Sequence, residues 1–489
     1  MTLFRDEEIR AESAALVQRH SAVIRQAQLG DGQLRSLQAE KLVGILQIAA
    51  DAPLYADSLH QWRDPGFLAW ARQLPASAVL GEILPALPML PREELRRRAT
   101  EVFTRPTDSF LHYFESSGTT GDPVAAPKAI DDLIVNTMNI GEMWGRLLGE
   151  GDVALILING PFAPAGYQFE KVLEYLGVMS TRLWADNVTG DYARILRTVR
   201  EISANVYVGT ASRLLELLHY VSRSGEPAPR FDHLMLMAEQ TGPALRRHLE
   251  RLTGATAHVA SFGSSETGTT AASCELGQLH LQLQSFVLEL LDEKGARLID
   301  GSADVGELVV TTLDLPGRPL IRYRTGDLIE ITGVPCACTV ALPTVRTVGR
   351  IQDGIALPDG SHRRQDEVEA ALWGFGEDRP GYALNYLLVR RRPNVTCLVT
   401  TDREVDAAWR QATERRMGGL FPGHRFELRI LDALPRLASL GSYVGWKMSH
   451  VLDLDDPGLR DRMPDPFGSI VDDTMKFLYD MAGAPSALS

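Results

Sequence analysis

The chain has 489 residues, 45% of them hydrophobic and 23% charged, with 42 Gly and 27 Pro. This excludes a fibrous or disordered chain and is too long for one compact core, so two or three globular domains are expected. A formal net charge of −13 excludes the concentrated basic field of a nucleic-acid binder. The N-terminus, MTLFRDEEIRAESAALVQRH, lacks the apolar stretch of a secretory signal, and the longest apolar run is VALILI at 153–158. That run is far short of the roughly 20 residues of a membrane span, so a cytoplasmic protein with no membrane partner is expected.

In chain order, residues 1–100 read as helices, with amphipathic patterns in QAEKLVGILQIAADAP and in PREELRRRATEVF, the latter opened by a proline suited to a first turn. Arg96, Arg97 and Arg98 lie in that pattern and read as a solvated helix face. A short β-prone stretch, FLHYF, then leads into ESSGTTGDP at 115–123. From about residue 150 the runs VALILI, ANVYVGT, HLMLMA and AHVASFG alternate with YQFEKVLEYLGV, ASRLLELLHYV and PALRRHLERLTG. Buried strand alternating with amphipathic helix predicts an α/β fold with a largely parallel sheet.

After Gly268 the strands LHLQLQSFVLELLD and VGELVVTT follow without helices, which predicts a β-rich subdomain over about 269–348. Glycines and a proline interrupt the pattern in GRIQDGIALPDG at 349–360, and beyond it EVEAALWGF, YALNYLLV, VTCLVTT and FELRIL predict a small α+β domain. The expected division is 1–350 and 351–489.

ESSGTTGDP can hold an anion, because Gly118 and Gly121 permit positive φ and Ser116, Ser117, Thr119 and Thr120 add hydroxyls to converging backbone N–H groups. It lacks the Gly-Lys-Ser/Thr of a P-loop NTPase; the bland alternative is a polar turn. In SFGSSETG at 261–268, Glu266 follows a tight turn at a strand's carboxyl end, where it is placed to hold magnesium or simply to face solvent. RPLIRYRTGDLIEI at 318–331 reads as strand, turn, strand, with Asp327 able to accept from ribose hydroxyls or merely to serve a hairpin. Lys447 lies in a Gly-rich stretch, a place to present a cation or an ordinary surface lysine. Four cysteines, at 274, 336, 338 and 397, are too few for a disulfide framework, and the Cys-x-Cys pair points to a metal.

Taken in order, these stretches resemble the adenylate-forming superfamily of acyl- and aryl-CoA synthetases, and more narrowly the phenylacetate-CoA ligase family. The narrower resemblance rests on SSGTTGDP followed by AIDDL, on APLYADSL and LPMLPREELR, and on FGSSE followed by Cys-x5-His; it spans about residues 40–452. It implies that Ser116 to Gly121 hold the β- and γ-phosphates of ATP, with Ser264 and Ser265 also against the nucleotide. Glu266 would bind magnesium, Asp327 the ribose, and Arg350 the ribose and phosphate side. Gln352 or Asp353 would be the hinge of a mobile C-terminal domain carrying the catalytic Lys447. Phe262 stands where the family usually has Tyr, IQDG where Asp-Asp is common, and GWK where a tighter Gly-Lys is usual.

Cys274, His280, Cys336 and Cys338 then form a three-thiolate, one-imidazole set of the closed structural zinc type, as in several members of that family; free core thiols are the alternative. For the acid, NGPFAPAGYQFE places Phe162 and Tyr167 to stack on an aryl group and Gly166 to leave room, with Glu239, Phe262 and Gly263 also facing the pocket; ordinary core aromatics are the alternative. The implied reaction is ATP-dependent activation of an aryl or arylalkyl acid as its adenylate, then transfer to coenzyme A. Transfer to an amine or a carrier-protein thiol is the rival, and a non-catalytic nucleotide or acid sensor the other class.

Overall fold

The strands and helices that alternate after residue 150 come together in one mixed sheet of twelve strands. The computed structural model describes residues 6–30, 32–116, 124–158, 164–184, 192–350, 355–374, 382–434, 450–456 and 468–483. The strands are β1 (Val153–Leu157), β2 (Met179–Arg182), β3 (Val206–Gly209), β4 (His233–Met237), β5 (Thr256–Ser264), β6 (Gly268–Ser273) and β7 (Leu279–Leu281). They continue with β8 (Phe286–Asp292), β9 (Gly295–Leu298), β10 (Asp304–Thr312), β11 (Tyr323–Ile331) and β12 (Thr344–Arg350), in the order 2-1-3-4-5-6-7-12-11-10-8-9.

The first five strands pair parallel, with order 2-1-3-4-5. Their crossovers are helices α4 (Ala165–Leu176), α5 (Tyr192–Glu201), α6 (Ala211–Ser224) and α7 (Pro243–Thr253); α1 (Glu7–Leu29), α2 (Leu34–Ala49) and α3 (Ile130–Trp144) precede them. The crossover ends are coded locally. Thr210 caps α6 by accepting the Arg213 N–H, and Gly225 closes it at φ 70°. Pro243 opens α7 and Gly254 closes it at φ 74°. Between β1 and β3 the winding reverses, and the carboxyl ends of strands at such a switch point open a crevice suited to ligands.

The β-rich stretch is paired to this same sheet. After β5 the chain turns back through residues 265–267 and pairs antiparallel with β6, a return that needs no crossover helix, and every later pairing is antiparallel. RYRTGD also departs from the expected turn between two strands. It lies within β11, with Gly326 at φ 75° and a register shift against β10, so it forms a bulge.

Past β12 come a two-stranded ladder of β13 (Ile355–Ala356) and β14 (His362–Arg363), then α8 (Gln365–Trp373). A four-stranded sheet in the order 17-16-15-18 follows, from β15 (Ala383–Arg391), β16 (Asn394–Thr401), β17 (Arg425–Ile430) and β18 (Val451–Asp453), with α9 (Ala407–Gly418) and α10 (Gly468–Gly483). One buried apolar cluster runs from Leu155 and Leu157 through Leu214 and Leu245 to Val368, Trp373 and Tyr386, so α6 and α7 are covered by both sheets. No helix among the described residues is long and apolar enough to cross a membrane.

Candidate active site

ESSGTTGDP sits at the end of a clasped ladder. Ser116 N–H donates to Val124 O (2.9 Å), Ala126 N–H to Phe114 O (2.7 Å) and Lys128 N–H to His112 O (2.8 Å). The Ser116 hydroxyl is buried and accepts the Val124 N–H at 2.8 Å, so it closes the loop's base. Ser117, Gly118, Thr119, Thr120 and Gly121 lie outside the described residues, as do Phe162, Gln352, Asp353 and Lys447, and the Arg350 side chain.

The β5–β6 turn carries Ser265, Glu266 and Thr267. It is tight because Gly263 has no side chain: a Cβ there would meet Gly268 O at 2.2 Å. Ser264 turns inward to Thr267, accepting its N–H at 3.2 Å with the two hydroxyls 3.1 Å apart. Glu266 is therefore 3% exposed rather than a surface residue, and Arg318 donates from Nη1 to its carbonyl at 3.0 Å.

A charged cluster packs behind this turn, and sequence reading missed it. Lys128, Asp132 and Arg318 are all buried, and Lys128 and Asp132 line a small cavity with Asn136, Gln168, Thr267 and Gly268. Burial pulls the Lys128 ammonium down to about 8, while Asp132 and Glu266 pull it back up. Burial pushes Asp132 up to about 6, opposed by Lys128. Oδ1 of Asp132 and both Nε and Nη2 of Arg318 have no partner among the described residues. Buried charged groups with unmatched polar atoms of this kind are costly inside a core and are found where a site must receive a charged ligand. The signal available in the sequence was Lys128 itself, at the foot of the phosphate ladder and four residues before Asp132.

The β11 bulge presents Asp327, whose N–H donates to Thr325 Oγ1 at 3.1 Å, opposite Arg350 of β12 in register. Tyr323, four residues earlier in β11, lies within electrostatic reach of Glu266, Arg318 and Asp327, so the magnesium and ribose candidates share one neighbourhood.

The acid-pocket residues divide. Tyr167 is packed by His112 (ring centroids 4.4 Å) and Phe114 (6.2 Å) from the phosphate ladder, so part of its aromatic surface is already used. The space beside Gly166 is taken by Arg182, whose Nη1 a Cβ would meet at 2.8 Å. Phe262 packs on the sheet's second apolar cluster, and Gly263 serves the turn. Glu239, at the carboxyl end of β4, accepts both the N–H (3.0 Å) and the hydroxyl (2.7 Å) of Ser212, next to the end of β3.

The four predicted metal ligands converge: one donor atom from each of Cys274, His280, Cys336 and Cys338 lies within 4.8 Å of the others. Sγ of Cys274 and Cys336 are 3.9 Å apart, and Sγ of Cys338 is 3.3 Å from Nε2 of His280. A tetrahedron with bonds of about 2.3 Å to sulfur and about 2.0 Å to nitrogen sets such edges at roughly 3.5–3.8 Å. Nδ1 of His280 donates to Leu342 O at 2.7 Å, which leaves Nε2 unprotonated toward the thiols, as a ligand requires. Cys397 is buried in β16, away from this set, as a core residue.

No family model matches the chain. It is 26% identical over 324 residues to the phenylacetate-coenzyme A ligase of Thermus thermophilus, covering 63% of this chain and 69% of that one. It is 27% identical over 241 residues to the enzyme of the same name from Aromatoleum evansii, covering 47% and 52%. In structure it superposes on a 2-hydroxyisobutyryl-CoA ligase in the postadenylation state with TM-score 0.73 and 19% identity, over 93% of this chain and 94% of that one. The same ligase in the thioesterification state, with its adenylate and CoA, gives 0.57 and 21% over 83% and 88%. The chain shares the fold of that ligase, and its sequence is similar to phenylacetate-coenzyme A ligases. In this chain, Glu266, Lys128 and Arg318 meet through elements more than fifty residues apart in sequence, which is why the charged cluster does not show in a reading of local stretches.

Proposed function

We propose that this chain activates an aryl or arylalkyl carboxylic acid as its adenylate, releasing pyrophosphate, and passes the acyl group to coenzyme A. The observation that carries this reading is the buried Glu266 turn, flanked by two buried cations and sharing Tyr323 with the Asp327 bulge. A carboxylate that attacks a triphosphate must approach like charge, so catalysis is mainly charge neutralisation and in-line positioning. A site with fixed, dehydrated charges does this without reorganising.

In the first step an oxygen of the acid attacks the α-phosphorus as the bond to the bridging oxygen of pyrophosphate breaks; the leaving group keeps the electron pair. Ser116 to Gly121 grip the departing phosphates, Ser264 and Ser265 line the nucleotide, and Asp327 and Arg350 hold its ribose side. Magnesium held by Glu266 would offset phosphate charge. Lys447 places its ammonium between the carboxylate and the α-phosphate. The domain division lies near residue 350, with Gln352 or Asp353 as hinge, and the acid is received where Glu239, Phe262 and Tyr167 border the crevice. The Cys274, His280, Cys336 and Cys338 set would hold a zinc ion in a structural role.

ATP–pyrophosphate exchange across a panel of aromatic, arylalkyl and short aliphatic acids tests the first step. AMP release with coenzyme A, then with amines and a carrier protein, tests the second. Exchange with aryl acids and CoA-dependent release are expected; exchange with none of the panel overturns the adenylation reading, and release that follows an amine or a carrier thiol instead overturns the acceptor.

A further inference from the structure

His450 stands three residues after Lys447 and immediately before β18. It is 1% exposed, and its two ring nitrogens join the two parts of the molecule. Nδ1 lies 3.0 Å from Tyr386 O in β15; a carbonyl only accepts, so Nδ1 carries the proton. Burial holds the ring neutral by pulling it down to about 4. Nε2 is then a bare acceptor, 3.3 Å from Ser212 Oγ at the start of α6, and it shares that hydroxyl's one proton with Glu239.

That contact is one link of a closed circuit. Ser212 reaches Glu239, as described, and Glu239 is followed by Gln240, whose carbonyl accepts from Gln365 Nε2 at 3.2 Å. Gln365 also donates to Glu369 Oε1 (2.7 Å), which accepts the Tyr386 hydroxyl at 3.3 Å, and Tyr386 O returns to His450. The turn at 238–242 is the hub. Ala238 adopts φ 71°, a conformation that L side chains enter only when the surroundings hold them there. Gln240 Nε2 donates to Thr347 O of β12 at 3.0 Å, three residues before Arg350. Gly242 lets α8 approach so closely that a Cβ would meet Glu369 Oε2 at 3.2 Å. Across the same seam His248 of α7 stacks on Trp373 at 4.4 Å.

We propose that this circuit is the latch that holds the C-terminal domain in the adenylation position, with His450 and Ser212 as positioning residues that fasten the start of β18 to the turn after β4. The inference rests on the adenylation reading above. It accounts for why a polar circuit is kept inside an apolar seam: a greasy contact alone would hold the domain without registering it, whereas the two contacts that cross the seam, Ser212 to His450 and Gln365 to Gln240, are made in only one relative position. Three extended residues span at most about 10 Å, so fixing His450 restricts where the preceding lysine can act.

Two measurements on the full-length protein test it. Ser212→Ala removes one hydroxyl and leaves the Glu239 contact to the backbone N–H; Gln365→Ala cuts the opposite arm. Amide hydrogen exchange without substrate should rise about fivefold or more over 238–242 and 450–453 in both variants, as expected for loss of about one hydrogen bond. It should not change in Ser222→Ala, whose hydroxyl donates to His219 O on the exposed face of α6. With an acid that the wild type turns over, pyrophosphate exchange should fall at least about tenfold in Ser212→Ala, while thioester formation from preformed acyl adenylate and CoA is kept. Unchanged amide exchange, or equal loss in both half-reactions, overturns the latch. A wild type that exchanges pyrophosphate with no acid overturns the adenylation reading instead, and the amide exchange still decides whether the circuit fastens the domain.

Discussion

Replacing Glu369 by glutamine should remove a pH dependence of stability that the wild type carries. Glu369 is fully buried in α8; Oε1 accepts from Gln365 and Tyr386, and Oε2 has no partner among the described residues. Burial pushes its carboxyl up to about 8 from 4.5, helped by Asp366 and Glu239 and opposed by the two hydrogen bonds. The folded protein therefore keeps a proton between pH 4.5 and 8 that the unfolded chain has lost, so stability falls as pH rises through that window and is fully present only below it. The slope is about 1.4 kcal/mol per pH unit for one proton. Allowing for relaxation of the site, the accumulated loss by pH 8 is about 2–5 kcal/mol. Glutamine keeps the shape and cannot ionise, so Glu369→Gln should match the wild type near pH 5 and exceed it by several degrees in thermal midpoint near pH 8. Thermal unfolding by circular dichroism from pH 5 to 8.5 reads this directly. A difference that stays constant with pH would refute the assignment of a neutral, buried Glu369.

Cys336→Ser should abolish bound zinc by elemental analysis and lower the thermal midpoint, because a structural site contributes its binding energy to folding. Chelation of the wild type should reproduce the loss, while Cys397→Ser should leave the metal in place. Glu266→Gln should reduce pyrophosphate exchange about a hundredfold and raise the magnesium concentration needed for half-maximal rate, read from a magnesium titration. Gly263→Ala should destabilise the protein by about 1–3 kcal/mol through overpacking of the β5–β6 turn. Gly44→Ala, in the interior of α2 with nothing within 4 Å of the added Cβ, should instead stabilise it by about 0.5–1 kcal/mol in urea titration.

Much of the fold was legible locally. The alternation of VALILI, ANVYVGT and HLMLMA with amphipathic runs determined the parallel strands, because buried strands and one-sided helices have different periods. Thr210, Pro243, Gly225 and Gly254 determined where helices begin and end, since caps depend on a few adjacent backbone groups. The Cys-x-Cys and Cys-x5-His spacings marked the four residues that the fold gathers within 4.8 Å. Hydrogen-bond pairing across a sheet is not local, and only the tertiary structure decided that the β-rich stretch continues one twelve-stranded sheet and that RTGD is a bulge rather than a turn. The same holds for charge. Lys128, Asp132, Arg318, Ser212 and His450 each look like ordinary polar residues in sequence, because burial and partners, which change what a titratable group does, are supplied by segments tens to hundreds of residues away.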